Sequence, residues 1–291
     1  MEGEVIGGYR LRNLMATGQT SQVWEVVQLS SNRHFAMKVL LPEKLREPMH
    51  RRFMIHEASV GLKLRHQNVV RILSLNRSPK NPYYVMEFFP AGSLKVRLLR
   101  KQFDFIKERT QTIFKQAATA LAYIHSSGYV HLDIKPDNML VNGAGELRII
   151  DFALSRRIQK RHWWHRFTKR RRRVAGTLSY MSPEQIRNEA LDQRADIYSF
   201  GISAYELVTG RPPFRASTAQ ELLGKHIAEK PEPPQMYNQD LTDQFGALLL
   251  RMLAKKREQR PNDFHEILIA LQGIRIFKSQ TPTSQKGAGT L

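Results

Sequence analysis

The sequence contains no cysteine, which excludes disulfides, thiolate catalysis and cysteine-bound metals. No segment approaches about 18 consecutive apolar residues, so none is expected to cross a membrane as a helix. The stretch Met1 to Met15 lacks the apolar run of a secretory signal, and a cytoplasmic location is the expectation. No internal repeat is visible, which argues against a solenoid or propeller. Acidic side chains are scarce: 26 Asp and Glu stand against 46 Lys and Arg, a formal charge of +20. Such an excess attracts anions, whether nucleotide, acidic protein, nucleic acid or lipid surface. What remains is ordinary for a globular chain: 291 residues and 41% hydrophobic content, enough for one large or two small domains.

Against this background one stretch concentrates chemistry: His131-Leu132-Asp133-Ile134-Lys135-Pro136-Asp137-Asn138. Asp133 can accept a proton from a hydroxyl. Lys135 can neutralise charge on a transferring phosphoryl group. Asn138 offers an uncharged oxygen suited to a hard cation such as Mg²⁺. Pro136 fixes φ and removes a donor, so the stretch is a shaped loop and not a helix interior. Asp151 follows a short apolar run, Leu147 to Ile150, and a second Mg²⁺ ligand there completes a phosphoryl-transfer centre.

These residues resemble the catalytic loop and metal motif of the protein kinase family. The match is close for H-x-D-x-K-P-x-N and partial for D-F-G, here Asp151-Phe152-Ala153. Further landmarks follow in order. Tyr9 to Met15, Val23 to Leu29 and His34 to Leu41 read as three antiparallel strands. The first turn, Ala16 to Ser21, keeps only Gly18 of the three glycines usual in the family, with Ala16 and Ser21 at the outer positions. Ala36-Met37-Lys38 stands where the resemblance puts the phosphate-binding lysine. Glu57, on a helix expected over about 49–64, matches its carboxylate partner. Gly61 departs from the bulky apolar residue usual four positions later.

Strands are expected over 68–75 and 83–89. Tyr84-Val85-Met86-Glu87-Phe88 resembles the strand leading to the family's hinge, which implies Met86 as the gatekeeper and Glu87 and Phe88 as residues offering backbone groups to adenine; Pro90-Ala91-Gly92-Ser93 reads as the break between lobes. Apolar residues at Ile113, Ala117, Ala120, Leu121 and Ile124 predict a helix over 109–125, closed by Ser126-Ser127-Gly128. Asp196-Ile197-Tyr198-Ser199-Phe200-Gly201 resembles the start of the central helix of the large lobe, whose Asp braces the catalytic loop. Arg260 resembles the late arginine that pairs with Glu184.

The most unusual segment is Arg156 to Arg173, where ten of 18 residues are Lys or Arg around His162-Trp163-Trp164-His165. By resemblance it is the activation loop, closing with Gly176-Thr177 and Ser182-Pro183-Glu184. Leu132 replaces the arginine that in many kinases pairs with a phosphorylated loop.

The resemblance implies an α+β bilobal kinase-like fold: a small antiparallel β lobe with one helix, and a larger, mainly helical lobe. The expected organisation is an N-terminal extension 1–8, a small lobe 9–87, a hinge 88–92, a large lobe 93–278 and a disordered tail 279–291. It further implies a serine/threonine protein kinase of the compact bacterial type, with ATP and Mg²⁺ as cofactors and proteins bearing Ser or Thr as substrates. Asp133 and Lys135 are the expected catalytic residues, and Asn138 and Asp151 the expected metal ligands. The expected nucleotide-binding residues are Met15, Ala16, Gly18, Val23, Ala36, Lys38, Glu57, Met86, Glu87, Phe88 and Leu140. Two other readings stand beside it: a pseudokinase scaffold, suggested by the eroded glycine loop, Ala153, Gly61 and Leu132, and a module in which the basic run binds an acidic protein or other polyanion.

Overall fold

The computed structural model describes residues 2–78, 81–158 and 177–279. The small lobe is one antiparallel sheet. Its strands are β1 (Val5–Ile6), β2 (Tyr9–Thr17), β3 (Ser21–Gln28), β4 (His34–Leu40), β5 (Ile72–Asn76) and β6 (Tyr83–Glu87), in the spatial order β1-β2-β3-β4-β6-β5. The segment before Tyr9, expected as an extension, pairs Val5 and Ile6 with Arg10 and Tyr9 and buries Ile6 in the sheet. One helix, α1 (Pro48–Gly61), lies on this lobe.

Strand alternation sorts the side chains. Met37, Val39, Val26 and Val85 pack with Trp24 on one face of the sheet. The intervening positions Ala36, Lys38, Tyr84 and Met86 face the opposite way. Helix α1 covers part of this second face, burying Met54 and Ala58 against Leu40, Ile72 and Tyr84. The notch at Gly61 is filled by a neighbour: a Cβ there would overlap Ile72 Cδ1 and lie 3.4 Å from Phe152 Cδ2.

The large lobe opens with β7 (Gly92–Ser93) and α2 (Leu94–Leu99), capped by the Ser93 hydroxyl on Val96 N. Helix α3 runs over Phe103–Ser126, six residues earlier than its clearest apolar periodicity begins. Next come β8 (Tyr129–Val130), β9 (Met139–Val141), β10 (Leu147–Ile149) and β11 (Arg156–Arg157), then α4 (Pro183–Ile186), α5 (Arg194–Thr209), α6 (Ala219–Ala228), α7 (Asp243–Met252) and α8 (Phe264–Gly273). Strand β9 lies between β10 and β7, and β8 pairs with β11. The core is aromatic where three helices meet: the Phe114 ring lies edge-on to Phe200 at 5.7 Å and stacked on Phe245 at 6.0 Å. All three rings are almost fully buried, each contributing roughly 2–3 kcal/mol by transfer from water. Helix α5 ends at Gly210, whose φ of 74° is the left-handed cap that glycine adopts without strain.

Strand β10 ties the large lobe to the segment that precedes β5. Ile149 forms a parallel bridge to Val69, and Asn68 donates to Leu147 O at 3.0 Å. This bridge explains why β5 begins at Ile72 and not at Asn68: residues 68–70 serve the large lobe instead.

Candidate active site

A cavity of about 830 Å³ lies between the lobes. Its upper wall is the face of the sheet selected by alternation. Lys38, in register with Val23 on one side and Tyr84 on the other, points into it. The Lys38 ammonium binds both oxygens of Glu57, at 2.9 and 2.8 Å. Burial disfavours its charge, but the carboxylates of Glu57 and Asp151 outweigh that and raise its pKa above the usual lysine value. Tyr84 also donates to Glu57, at 2.8 Å.

The lower wall is built on Asp196 of α5, which is fully buried. Its carboxylate accepts from the backbone N–H groups of His131 and Leu132, both at 2.7 Å, and pairs with His125 Nε2 at 2.8 Å. Burial opposes this charge, yet His125 and the backbone donors hold the carboxyl below its usual range. So braced, Leu132 adopts φ 67°, a left-handed conformation costly for a branched side chain. Its side chain is buried with Val130, Ala195, Leu154 and Ile158, so the position usual for arginine is an apolar anchor for the start of the following segment. Gln185 of α4 donates to Leu132 O at 3.1 Å, closing the loop from the other side.

Asp133 sits at the centre of a polar set. Lys135 Nζ lies 2.7 Å from Oδ2, and Asn138 Nδ2 lies 3.1 Å from the same oxygen. Oδ1 has longer contacts, 3.3 Å to both the N–H and the hydroxyl of Thr177. Lys135 also reaches Thr177 Oγ1 at 2.6 Å. Asn138 spends its amide N–H groups on Asp133, including 2.9 Å to the backbone carbonyl, which leaves its side-chain oxygen as the acceptor.

Asp151 faces the cavity with φ 69°. Burial raises its pKa, but Lys38 and the Ala153 N–H more than compensate and hold the carboxyl below the usual range. Phe152 is fully buried, edge-on to His131 at 5.4 Å. Ala153 is absent from the positive-φ residues among those described, so in this arrangement the position makes no demand for glycine. His56 of α1 lies 2.7 Å from Ser155 O, tying the helix to the segment after Asp151.

The cavity gathers the expected residues Met15, Ala16, Gly18, Val23, Ala36, Lys38, Glu57, Met86, Glu87, Lys135, Asn138, Leu140 and Asp151. Asp133 stands just behind this lining, joined to it through Lys135 and Asn138. The Phe88 side chain lies outside the lining, its ring 6.2 Å from His34, while Phe89 is part of the lining. The Glu87 N–H is spent on Arg71 O, so its carbonyl is the group it can offer a ligand. Sequence pattern does not single out Tyr84, because a tyrosine in the run Tyr83-Tyr84-Val85-Met86 has the same signature whether it fills the core or donates to Glu57. The Trp pair and most of the basic run lie in 159–176, outside the described residues.

The donor set fits nucleotide phosphates and a hard divalent cation. Lys38 supplies a fixed positive charge, Asp151 an ionised carboxylate and Asn138 a neutral oxygen. No group of three or more His, Asp or Glu gathers into a metal site among the described residues. One carboxylate and one amide oxygen suit Mg²⁺, which takes one or two protein ligands and completes its shell with phosphate oxygens and water.

Comparisons with known proteins agree with this geometry. A family model described as the protein kinase domain matches residues 9–270. A Clostridium acetobutylicum protein named as a probable serine/threonine-protein kinase is 30% identical over 276 residues, covering 94% of this chain and 41% of the relative. A Streptomyces coelicolor protein of the same description is 29% identical over 286 residues, covering 97% and 42%. The serine/threonine-protein kinase PknB of Mycobacterium tuberculosis is 28% identical over 282 residues, covering 96% and 44%. The chain thus spans about two fifths of the length of these relatives. No helix among the described residues is long and apolar enough to cross a membrane. With its lobes, its Lys38–Glu57 pair and its braced loop in place, the chain belongs to the protein kinase domain family.

Proposed function

We propose that this chain transfers the γ-phosphoryl group of ATP to serine or threonine hydroxyls of proteins. The observation that carries the reading is the convergence on one cavity of a charged Lys38, an ionised Asp151 and Lys135, which is bonded to Asp133 and Thr177 just behind the lining. Serine/threonine preference is supported by the names of the relatives and by Lys135, placed between Asp133 and Thr177.

In this reading Lys38, oriented by Glu57, holds phosphate oxygens. Asp151 and Asn138 hold Mg²⁺, which when bound screens the phosphate charge. Asp133 orients the acceptor hydroxyl and takes its proton through Oδ1, the oxygen with the longer contacts. Lys135 neutralises charge developing on the transferring group. Positioning and electrostatics carry most of the rate enhancement. A cytoplasmic location, where ATP is abundant, is part of this reading. An acidic partner at the basic run 156–173 extends this reading and rests on composition.

Three of the four features that suggested a scaffold without catalysis have a place in the fold. Ile72 fills the Gly61 notch, Ala153 is unstrained and Leu132 is a packed anchor. The test uses three peptides identical except for Ser, Thr or Tyr at the acceptor position, incubated with labelled ATP and Mg²⁺. Label is expected on the Ser and Thr peptides. Labelling of the Tyr peptide alone, or of none, contradicts the reading.

A further inference from the structure

Glu57 has a second partner besides Lys38. The hydroxyl of Tyr84 donates to Oε1 at 2.8 Å, the same oxygen that Lys38 approaches at 2.9 Å. Tyr84 is 2% exposed, and Glu57 is 3% exposed. Strand register makes the contact inevitable once α1 is docked: Lys38 and Tyr84 are direct cross-strand partners, so ammonium and phenol stand side by side on one face. The ammonium lies 5.9 Å from the phenol ring. Helix α1 then lays Glu57 over both.

The helix comes close enough because of Gly61, one turn beyond Glu57, where a side chain would overlap Ile72. Lys and Glu are both long and rotatable, so a pair of them does not by itself fix a direction. A buried tyrosine has two side-chain torsions and a packed ring, so its hydroxyl is a fixed point. A buried carboxylate also needs more than one donor to offset its desolvation.

We infer that Tyr84 is a positioning residue: its hydroxyl fixes the Glu57 carboxylate and thereby aims the Lys38 ammonium into the cavity. The inference rests on the reading that Lys38 binds the phosphates of ATP. The bond predicts a kinetic signature that loss of fold does not produce. Partial unfolding lowers kcat and leaves KM alone, whereas a misdirected Lys38 raises KM for ATP.

The test is Tyr84→Phe, which removes one oxygen and keeps the ring, assayed with casein as acceptor and Mg·ATP varied. KM for ATP is expected to rise about 3- to 10-fold while KM for casein stays unchanged. Calorimetric titration with Mg·ATP, which needs no acceptor, is expected to show the same weakening. In a Glu57→Ala background the Tyr84→Phe change is expected to have no further effect, because the carboxylate it acts through is gone. A wild-type KM and affinity for ATP in Tyr84→Phe, or an equal loss in both backgrounds, overturns the inference. The underlying reading is checked separately: wild type must bind Mg·ATP and Lys38→Met must bind it more weakly. If wild type does not bind, both fall. If it binds and Tyr84→Phe matches it, only the role of Tyr84 falls.

Discussion

Each lobe holds a buried pair of glutamate with a basic residue, and the two pairs are satisfied differently. In the large lobe Arg260 grips Glu184 with two bonds, at 2.7 and 2.9 Å. Its remaining donors go to the backbone carbonyls of Ala254, Arg194 and Lys255, and the side chain is fully buried. In the small lobe Lys38 binds Glu57 as closely, but its side chain is 16% exposed and lines the cavity. A cation whose donors are all spent inside the protein can only hold the fold. A cation that borders a cavity beside an ionised Asp151 has an interaction left to make. Burial alone therefore does not separate structural from functional pairs; the direction of the unspent donors does.

Mutation turns this contrast into measurements. Lys38→Met is expected to lower kcat/KM by about 10²- to 10³-fold, as loss of a charge-stabilising donor does, with little change in melting temperature. A large fall in melting temperature would assign the pair to the fold and erase the distinction. Glu184→Gln is expected to do the opposite. It leaves the buried guanidinium without its counter-charge and lowers stability by about 3–5 kcal/mol, read as a fall in melting temperature with KM for ATP unchanged.

A smaller effect sharpens the structural side of the comparison. His226 meets Tyr198 at 3.0 Å between its Nδ1 and the phenol oxygen, and the Arg260 guanidinium lies 4.9 Å from the Tyr198 ring. Burial and the nearby Lys255 ammonium push the His226 pKa down from 6.5 to about 4. Between these values the unfolded chain binds the proton and the folded chain does not. This group's contribution to stability therefore rises with pH through the window and is lost as pH falls through it. Melting temperatures between pH 6.5 and 4.5 are expected to fall more steeply in wild type than in His226→Gln. Equal slopes would show that His226 takes no part in the acid sensitivity.

Much of this was legible in the sequence because the chemistry is local. Asp133, Lys135 and Asn138 lie within six residues, and the bracing by Asp196 and the Arg260–Glu184 pair followed from single motifs. Ala36, Lys38 and Met86 came from the resemblance, and the alternation of β4 and β6 is the physical reason they share the cavity face. What escaped needed contacts between distant elements. Whether Gly61 left a gap depended on Ile72, from a strand eleven positions on, leaning into it. Tyr84 looked like core because only the docking of α1 gives its hydroxyl a partner.

The central claim is that Asp133 acts on an acceptor hydroxyl. Transfer of label from γ-labelled ATP to casein, wild type beside Asp133→Asn, tests it most directly. The account predicts clear transfer by wild type, and a rate about 10²- to 10⁴-fold lower in Asp133→Asn with Mg·ATP affinity retained. Transfer at the wild-type rate by Asp133→Asn would contradict it.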